Sequence, residues 1–430
     1  VAEPKLPQAE ASSLKSITAI LFCVGFLVAG NGLFMTLFPL RADAEGFSVV
    51  LIGSLGTAYF AGFAVGCFWC PKIISSSGHI QTFAGVAAIT TALSLAFPIL
   101  PDPYVWGVLR FLHGIAWAAL FVVIESWLND RSDNSNRGRI LSAYIIVSNV
   151  LTIGGQLMIN LYAVEKNEPF MLVAVLVCLA IVPLTLVRIT SPAPIATSRV
   201  DIRSLYRLSP VGLIGCFLVG TAEGAFWSLG PVFAQQRALD VSDVALLMSA
   251  FVLGGTISQW PLGWLSDRVD RRYIIAAIAF GSFGTGIAIG YFDMSEDWAI
   301  FAVAVAHGAL MVPLYAMCLS HANDYAPNSK MVEISSGLLL AYATGAALGP
   351  LVASLFMGPE QSGGLFAFIA VVLLLLALFT CFRIFKRKSV DYAERAEFVP
   401  VPKTTAVVFT LEEDDEPVGP TDRANANQAE

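Results

Sequence analysis

Charge is what this sequence has least of. Of its 430 residues, 13% are Asp, Glu, Lys or Arg against 56% hydrophobic, about half the charged share of a soluble domain. A chain this long and this poor in charge cannot coat a soluble core, which excludes a cytosolic globular protein. Histidine is nearly absent, with four in the whole chain. Loop His79 has no neighbouring acid and His321 has only Asp324 beside it, so no loop offers a catalytic set and the chain reads as a non-enzyme. The pattern GxxxxGK[ST] is missing, which excludes a self-contained ATPase. Seven cysteines stand mostly singly in apolar runs, as small buried hydrophobes do. Cys67 and Cys70 form one CxxC with no second pair, which reads as packing rather than metal or redox chemistry. No metal or cofactor is expected.

What the chain does have is long apolar runs, each close to the roughly 20 residues that carry a helix across a bilayer. Twelve emerge: Ser16–Leu40, Ser48–Cys70, Ile80–Leu100, Tyr104–Leu128, Ile140–Tyr162 and Pro169–Val187, then Pro210–Phe233, Val241–Leu265, Tyr273–Phe292, Trp298–Ser320, Glu333–Met357 and Gly363–Phe385. The first is too long for a signal-peptide core and is expected to be retained. The net charge of −7 owes much to the acidic run Glu412–Glu416, and the body without that tail is near neutral, so no nucleic-acid partner is implied. The expected organisation is a cytoplasmic N-terminus (1–15), a six-helix bundle (16–187), a linker rich in Pro, Ser and Arg (188–209), a second six-helix bundle (210–385) and a disordered acidic tail (386–430).

Lys and Arg fall on one side of this topology. Sixteen sit in alternate loops, from Lys72 to Lys388, and three (Arg41, Lys166, Arg237) in the others. The positive-inside rule then places both termini in the cytoplasm.

The two halves repeat each other. At an offset of 192 residues Asn31-Gly32 falls on Glu223-Gly224, Phe34 on Phe226, Pro39 on Pro231 and Gly62 on Gly254. At an offset of 194, His113-Gly114 falls on His307-Gly308, Asn129-Asp130 on Asn323-Asp324 and Gly155 on Gly349. Six spans per repeat give both halves the same orientation, and such parallel repeats place a site at their interface near the midplane.

Between spans 8 and 9 stands Gly263-Trp-Leu-Ser-Asp267-Arg268-Val-Asp270-Arg271-Arg272. It resembles the loop signature G-x-L-x-D-R-x-G-R-R of the major facilitator superfamily, with Asp270 in place of the second Gly. The first half departs further, carrying Ser75 and Ser76 where Asp and Arg should stand. Arg110-Phe-Leu-His113-Gly114 resembles the R-x-x-Q-G signature of the family's fourth helix, with His for Gln. VVIESWL, SNRGR, GAFWSLGPVFA, PLYAMCLSHAND and SSGLLLAYATGAALGP resemble the YcaD-like branch of bacterial facilitators. The resemblance covers about residues 16–385. It implies an all-α membrane protein of twelve transmembrane helices in two parallel six-helix repeats, in the bacterial inner membrane, with helices 1, 4, 7 and 10 lining a central cavity. It also implies a monomeric secondary transporter of a small-molecule substrate, and that branch has no settled substrate.

Physically, the signature suits a conformational latch, because its Asp can sit at a helix N-terminus and its arginines can pair with an acid such as Asp324. The latch residues are then Gly263, Asp267, Arg268, Arg271, Arg272 and Asp324; the bland reading is an ordinary positive loop.

Charged side chains at membrane depth are costly and mark function by default. Five ionisable groups lie within the spans: Arg110, His113 and Glu125 in span 4, Glu223 in span 7 and His307 in span 10. Arg110 reads as a site for an anionic substrate group, a counter-ion to Glu223, or a structural donor to helix carbonyls. Glu223, about 20 Å along its helix, reads as the proton-coupling group or a static partner of Arg110. Glu125 reads as a structural ion pair with Arg137 or Arg139. His113 and His307 are repeat partners that suit either proton transfer or packing. Asn31 is the neutral counterpart of Glu223. Asn149, Gln156, Trp227, Tyr315 and Tyr342 read as substrate contacts or, more plainly, as packing. Together these point to proton-coupled transport of a small organic solute. An uncoupled uniporter or a transporter-like receptor is the alternative.

Overall fold

The computed structural model describes residues 6–130, 132, 137–186, 201–292, 297–327, 330–358, 363–386 and 398. Twelve helices among them are long and apolar enough to cross a bilayer. They are α1 (Ser16–Ala44), α2 (Val49–Ser77), α3 (His79–Ile99), α4 (Pro103–Asp130), α5 (Gly138–Leu161), α6 (Glu168–Leu186), α7 (Pro210–Gln236), α8 (Val241–Arg268), α9 (Arg271–Tyr291), α10 (Trp298–Asn323), α11 (Glu333–Ser354) and α12 (Gly364–Lys386). In a bilayer every backbone N–H and C=O must be satisfied within the segment, and the helix does this without a partner. Large side chains such as Phe22, Ile89, Trp260, Phe280 and Leu375 are exposed on the outside of the bundle, the pattern of a protein solvated by lipid. Tyr104, Tyr291 and Trp298, also exposed, stand at helix ends, where amphipathic rings meet the headgroups.

Helix ends run beyond the apolar runs. The segment expected to be a loop after span 2 continues as helix to Ser77, and Gly78 (φ 80°) makes the break, its N–H bonded to Ile74 O at 2.8 Å. A non-glycine residue is disfavoured at that φ. His79, expected in a loop, opens α3, is buried, and meets Ser126 Oγ through Nε2 at 2.9 Å. The helix of α10 is interrupted between Met311 and Leu314, because Pro313 has no N–H to give the ladder. The linker holds a short helix, Ile202–Leu208, capped by Asp201.

The internal repeat is visible in the helix crossings. Gly62 in α2 packs on the carbonyl of Phe111 in α4, and its counterpart Gly254 in α8 packs on that of Val305 in α10. In return Gly114 meets the carbonyl of Tyr59, and Gly308 that of Phe251. Each of these partners is itself related by the same offsets. A Cβ at any of the four glycines would collide with backbone. Small residues that let helix backbones touch are how helices associate where lipid removes the hydrophobic drive.

The two halves meet at the ends of the helices away from the basic loops. There Thr57 Oγ1 donates to Ala347 O at 2.6 Å and Ser249 Oγ donates to Gln156 Oε1 at 3.1 Å. Gly53 packs on Pro350 and Ser354, and Gly56 on Ser228. At the same end Arg41 donates to the carbonyls of Val164 and Lys166, and Arg237 to those of Ile289 and Gly290. Arg41 thus holds the turn between α5 and α6, and Arg237 caps the last turn of α9.

Candidate functional site

A cavity of about 300 Å³ lies between the halves. From the first half it is walled by α1 (Asn31, Met35), α2 (Tyr59, Phe60, Phe63), α4 (Phe121) and α5 (Tyr144, Asn149). From the second it is walled by α7 (Glu223, Trp227), α8 (Phe251, Gln259), α10 (Val312) and α11 (Tyr342). Ligand sites of this kind are mostly apolar with a few placed polar groups.

Glu223 is 1% exposed and accepts a hydrogen bond from Tyr342 Oη at 2.7 Å through Oε2. Among the described residues lining the cavity it is the single carboxylate, and none of them is Lys, Arg or His. Tyr342, read from sequence as packing, touches both Glu223 and the cavity. So does Asn149 line it, whereas Gln156 instead bonds Ser249 across the two halves. Nothing in the spacing of α11 distinguished a cavity-facing tyrosine from a buried one. The buried Oδ1 of Asn31 has no hydrogen-bond partner.

The other membrane-depth ionisable groups lie elsewhere. Arg110 is 2% exposed and does not line the cavity. Its guanidinium carbon stands 4.2 Å from the Phe38 ring centroid, 4.4 Å from Tyr59 and 5.6 Å from Phe34, and its buried Nε and Nη1 have no hydrogen-bond partner. The expected pairing with Glu223 is absent among the described residues. The aromatic faces hold the cation on its own side of Tyr59.

His113 and His307, grouped with the binding residues on sequence, are both 0% exposed and outside the cavity wall. His113 Nε2 accepts from Trp117 Nε1 at 2.9 Å, and its ring packs 4.3 Å from Phe34. His307 Nδ1 meets Thr285 Oγ1 at 2.8 Å beside Phe251 and Phe366. Each histidine sits in the aromatic interior of its own half, a place that four-residue helix spacing alone could not tell from the cavity face. Glu125, expected to meet Arg137 or Arg139, accepts from Tyr144 Oη at 3.0 Å; Arg139 is exposed, and the side chain of Arg137 lies outside the described residues.

The signature between spans 8 and 9 is mostly helix rather than loop. Gly263–Arg268 close α8, and Arg271 opens α9. Asp270, in the place of the family's Gly, caps α9 by accepting from Arg272 N at 3.0 Å, and pairs with Arg272 Nη2 at 2.6 Å. Burial works against its charge, yet the hydrogen bonds from Arg272 hold its carboxyl below the ordinary carboxylate range. Arg271, 1% exposed, joins Asp267 Oδ1 and Asp324 Oδ1, each at 3.0 Å, and so ties α8, α9 and α10 together. Arg268 stacks on Trp264 at 3.7 Å. Within the segment expected as a disordered tail, Phe398 is seated here: its N–H donates to Asp267 Oδ1 at 2.9 Å and its ring packs on Gly263. Residues 387–397 and 399–430 lie outside the described residues.

The comparisons agree with this geometry. The family model described as Major Facilitator Superfamily matches twice, over residues 20–212 and 212–413, once per repeat. An uncharacterized MFS-type transporter of Enterobacter sp. (strain 638) is 28% identical over 339 residues, 78% of this chain and 87% of that protein. The uncharacterized MFS-type transporter YcaD of Escherichia fergusonii is 26% identical over the same shares. Among solved structures, a bacterial homolog of the human lysosomal transporter Spinster, inward-facing and occupied, superposes with TM-score 0.69 at 14% identity, covering 92% of this chain and 99% of that one. The transporter FucP in its outward conformation reaches 0.57 at 14%, covering 86% and 99%. Two matched repeats, twelve spans and a cavity between the halves lead to one statement: the chain belongs to the Major Facilitator Superfamily and is a solute transporter.

Proposed function

We propose that the chain is a secondary active transporter that moves a small organic solute by alternating access, coupled to protons through Glu223. The observation that carries this reading is the placement of Glu223: one carboxylate, 1% exposed, on the wall of the cavity between the repeats and bonded to Tyr342. A carboxylate that faces both the cavity and a neighbouring hydroxyl is placed to exchange a proton for solute. With the basic loops in the cytoplasm of a bacterial inner membrane, the contacts Thr57–Ala347 and Ser249–Gln156 lie toward the outer face. The cluster Gly263–Asp267–Arg268–Arg271–Arg272–Asp324 then lies at the cytoplasmic end, where its ion pairs act as a conformational latch that breaks and reforms as the halves rock. The protein acts as a monomer.

The test is solute-driven proton flux in proteoliposomes, with pooled metabolites and amphipathic compounds, for wild type beside Glu223→Gln. Flux with one pool, lost in the variant while solute exchange at saturating concentration persists, supports the reading. Solute movement that ignores the substitution identifies an uncoupled uniporter. Silence in every pool from folded, inserted protein points to a transporter-like receptor.

A further inference from the structure

The walls of the cavity specify the charge of what enters it. We infer that the solute is an organic cation, a protonated amine or a quaternary onium compound, whose charged centre is held between Glu223 and the rings of the second half. The inference rests on the transporter reading above and narrows it.

Three observations carry it. First, the charge inventory of the wall is one-sided: Glu223 is its carboxylate, and no described lining residue is Lys, Arg or His. An anion there would face a carboxylate and no basic side chain of the described wall, in surroundings where water screens little. Second, the wall is rich in ring faces. Tyr342 and Trp227 flank Glu223 from α11 and from one turn along α7, and Phe251 stands 6.0 Å from the Trp227 ring. Ring faces attract cations, most strongly when water is excluded. Third, Arg110 supplies no positive charge to the wall. It is spent on Phe38 and Tyr59 at 4.2 and 4.4 Å and stays behind Tyr59, which does face the cavity.

The same facts orient the solute. Arg110 makes the Tyr59 side unfavourable for a second cation, so the charged centre belongs at the Glu223–Trp227 side. An apolar body then extends toward Phe60, Phe63 and Phe121 of the first half. The repeat carries its carboxylate in one half only, since Asn31 holds the equivalent position. The site therefore balances one positive charge, which makes proton and organic cation alternatives at the same carboxylate. A cavity near 300 Å³ is at the lower bound of drug-sized sites.

The test uses two ions of equal shape and opposite charge, tetraphenylphosphonium and tetraphenylborate, on the full chain in nanodiscs, with empty nanodiscs subtracted. Saturable binding of the phosphonium is expected, with no saturable binding of the borate. Glu223→Gln and Trp227→Leu should each weaken phosphonium binding about tenfold or more, and Glu223→Asp should retain most of it. Each variant is first checked for monodispersity and an unfolding midpoint near that of wild type. Equal binding of both ions, or phosphonium binding unaffected by Glu223→Gln, overturns the inference. If neither ion binds while a metabolite pool drives proton flux, the cation assignment fails and the transporter reading stands. If neither ion binds and no pool drives flux, both fail.

Discussion

Glu223 and Asn31 occupy the same position in the two repeats, 192 residues apart in sequence, and both line one cavity from opposite halves. The fold is doubled but the charge is not. The duplicated crossings at Gly62 and Gly254, and at Gly114 and Gly308, keep the frame symmetric, while one acid in place of one amide makes the two walls chemically different.

The hydroxyl of Tyr342 holds Glu223 Oε2 at 2.7 Å. Tyr342→Phe removes a hydrogen bond worth ~0.5–1.5 kcal/mol while keeping the ring. We expect the rate of proton-coupled transport to fall several-fold with the cation still bound, measured by flux in liposomes and by phosphonium titration. Unchanged flux would place Tyr342 in packing alone.

The glycine crossings make a symmetric stability claim. Gly62→Val and Gly254→Val each push a side chain into a helix backbone, with an overpacking cost of ~1–3 kcal/mol or more. Both variants should lose thermal stability by similar amounts in detergent. A large loss in one and none in the other would contradict the equivalence of the halves.

Arg271 and Asp324 are 1% and 4% exposed at the side chain. Removing one partner of a buried pair costs ~3–5 kcal/mol, whereas replacing both by apolar groups is often neutral. Arg271→Met should therefore unfold at markedly lower temperature, and Arg271→Met with Asp324→Leu should recover much of the loss, since the remaining partner Asp267 is 31% exposed at the side chain. If the cluster acts in the cycle, the double variant stays slow in transport although stable. Full transport by the stable double variant would leave the cluster a structural role only.

Asp270 caps α9 and pairs with Arg272. Asp270→Gly, the residue the family signature carries there, removes a cap side chain at a cost of a few tenths of a kcal/mol and the ion pair as well. Because the folded carboxyl is held below its ordinary value, its contribution is complete above the unfolded carboxylate pKa of about 3.9. It is lost as pH falls through the lower folded value. The stability gap between wild type and Asp270→Gly, followed by thermal unfolding, should close on acidification below that point and stay constant above it.

Arg110 stands buried on three aromatic rings with two nitrogens unpartnered. Arg110→Met keeps the volume and removes the charge. We expect phosphonium binding to be retained or to tighten, since a nearby like charge is gone, and unfolding to be little changed or delayed. Loss of binding in a folded variant would return Arg110 to the site.

The twelve spans, the doubled frame and the signature near Asp267 were legible in the chain because they rest on local quantities: apolar run length, the offsets 192 and 194, and a short spacing of Gly, Asp and Arg. Glu223 was legible for the same reason, as an acid at membrane depth is conspicuous by cost alone. Its neighbours were not. Arg110 lies as deep, and three residues from His113 on one helical face, yet the fold sends both into the aromatic interior of the first half. Tyr342 and Tyr315 are both buried tyrosines of the second half, 5.0 Å apart as rings, and Tyr342 lines the cavity beside Glu223.

The sequence by itself determined that the chain spans a membrane twelve times in two like halves, because apolar length and periodic recurrence are properties of the chain taken piece by piece. Which of its rare polar groups meet was decided by the tertiary structure. A helix presents a face every 3.6 residues, and whether that face looks at lipid, at its own bundle or at the facing half depends on how the glycine crossings rotate it. That rotation puts Glu223, Trp227 and Tyr342 on the cavity and turns Arg110, His113 and His307 away from it.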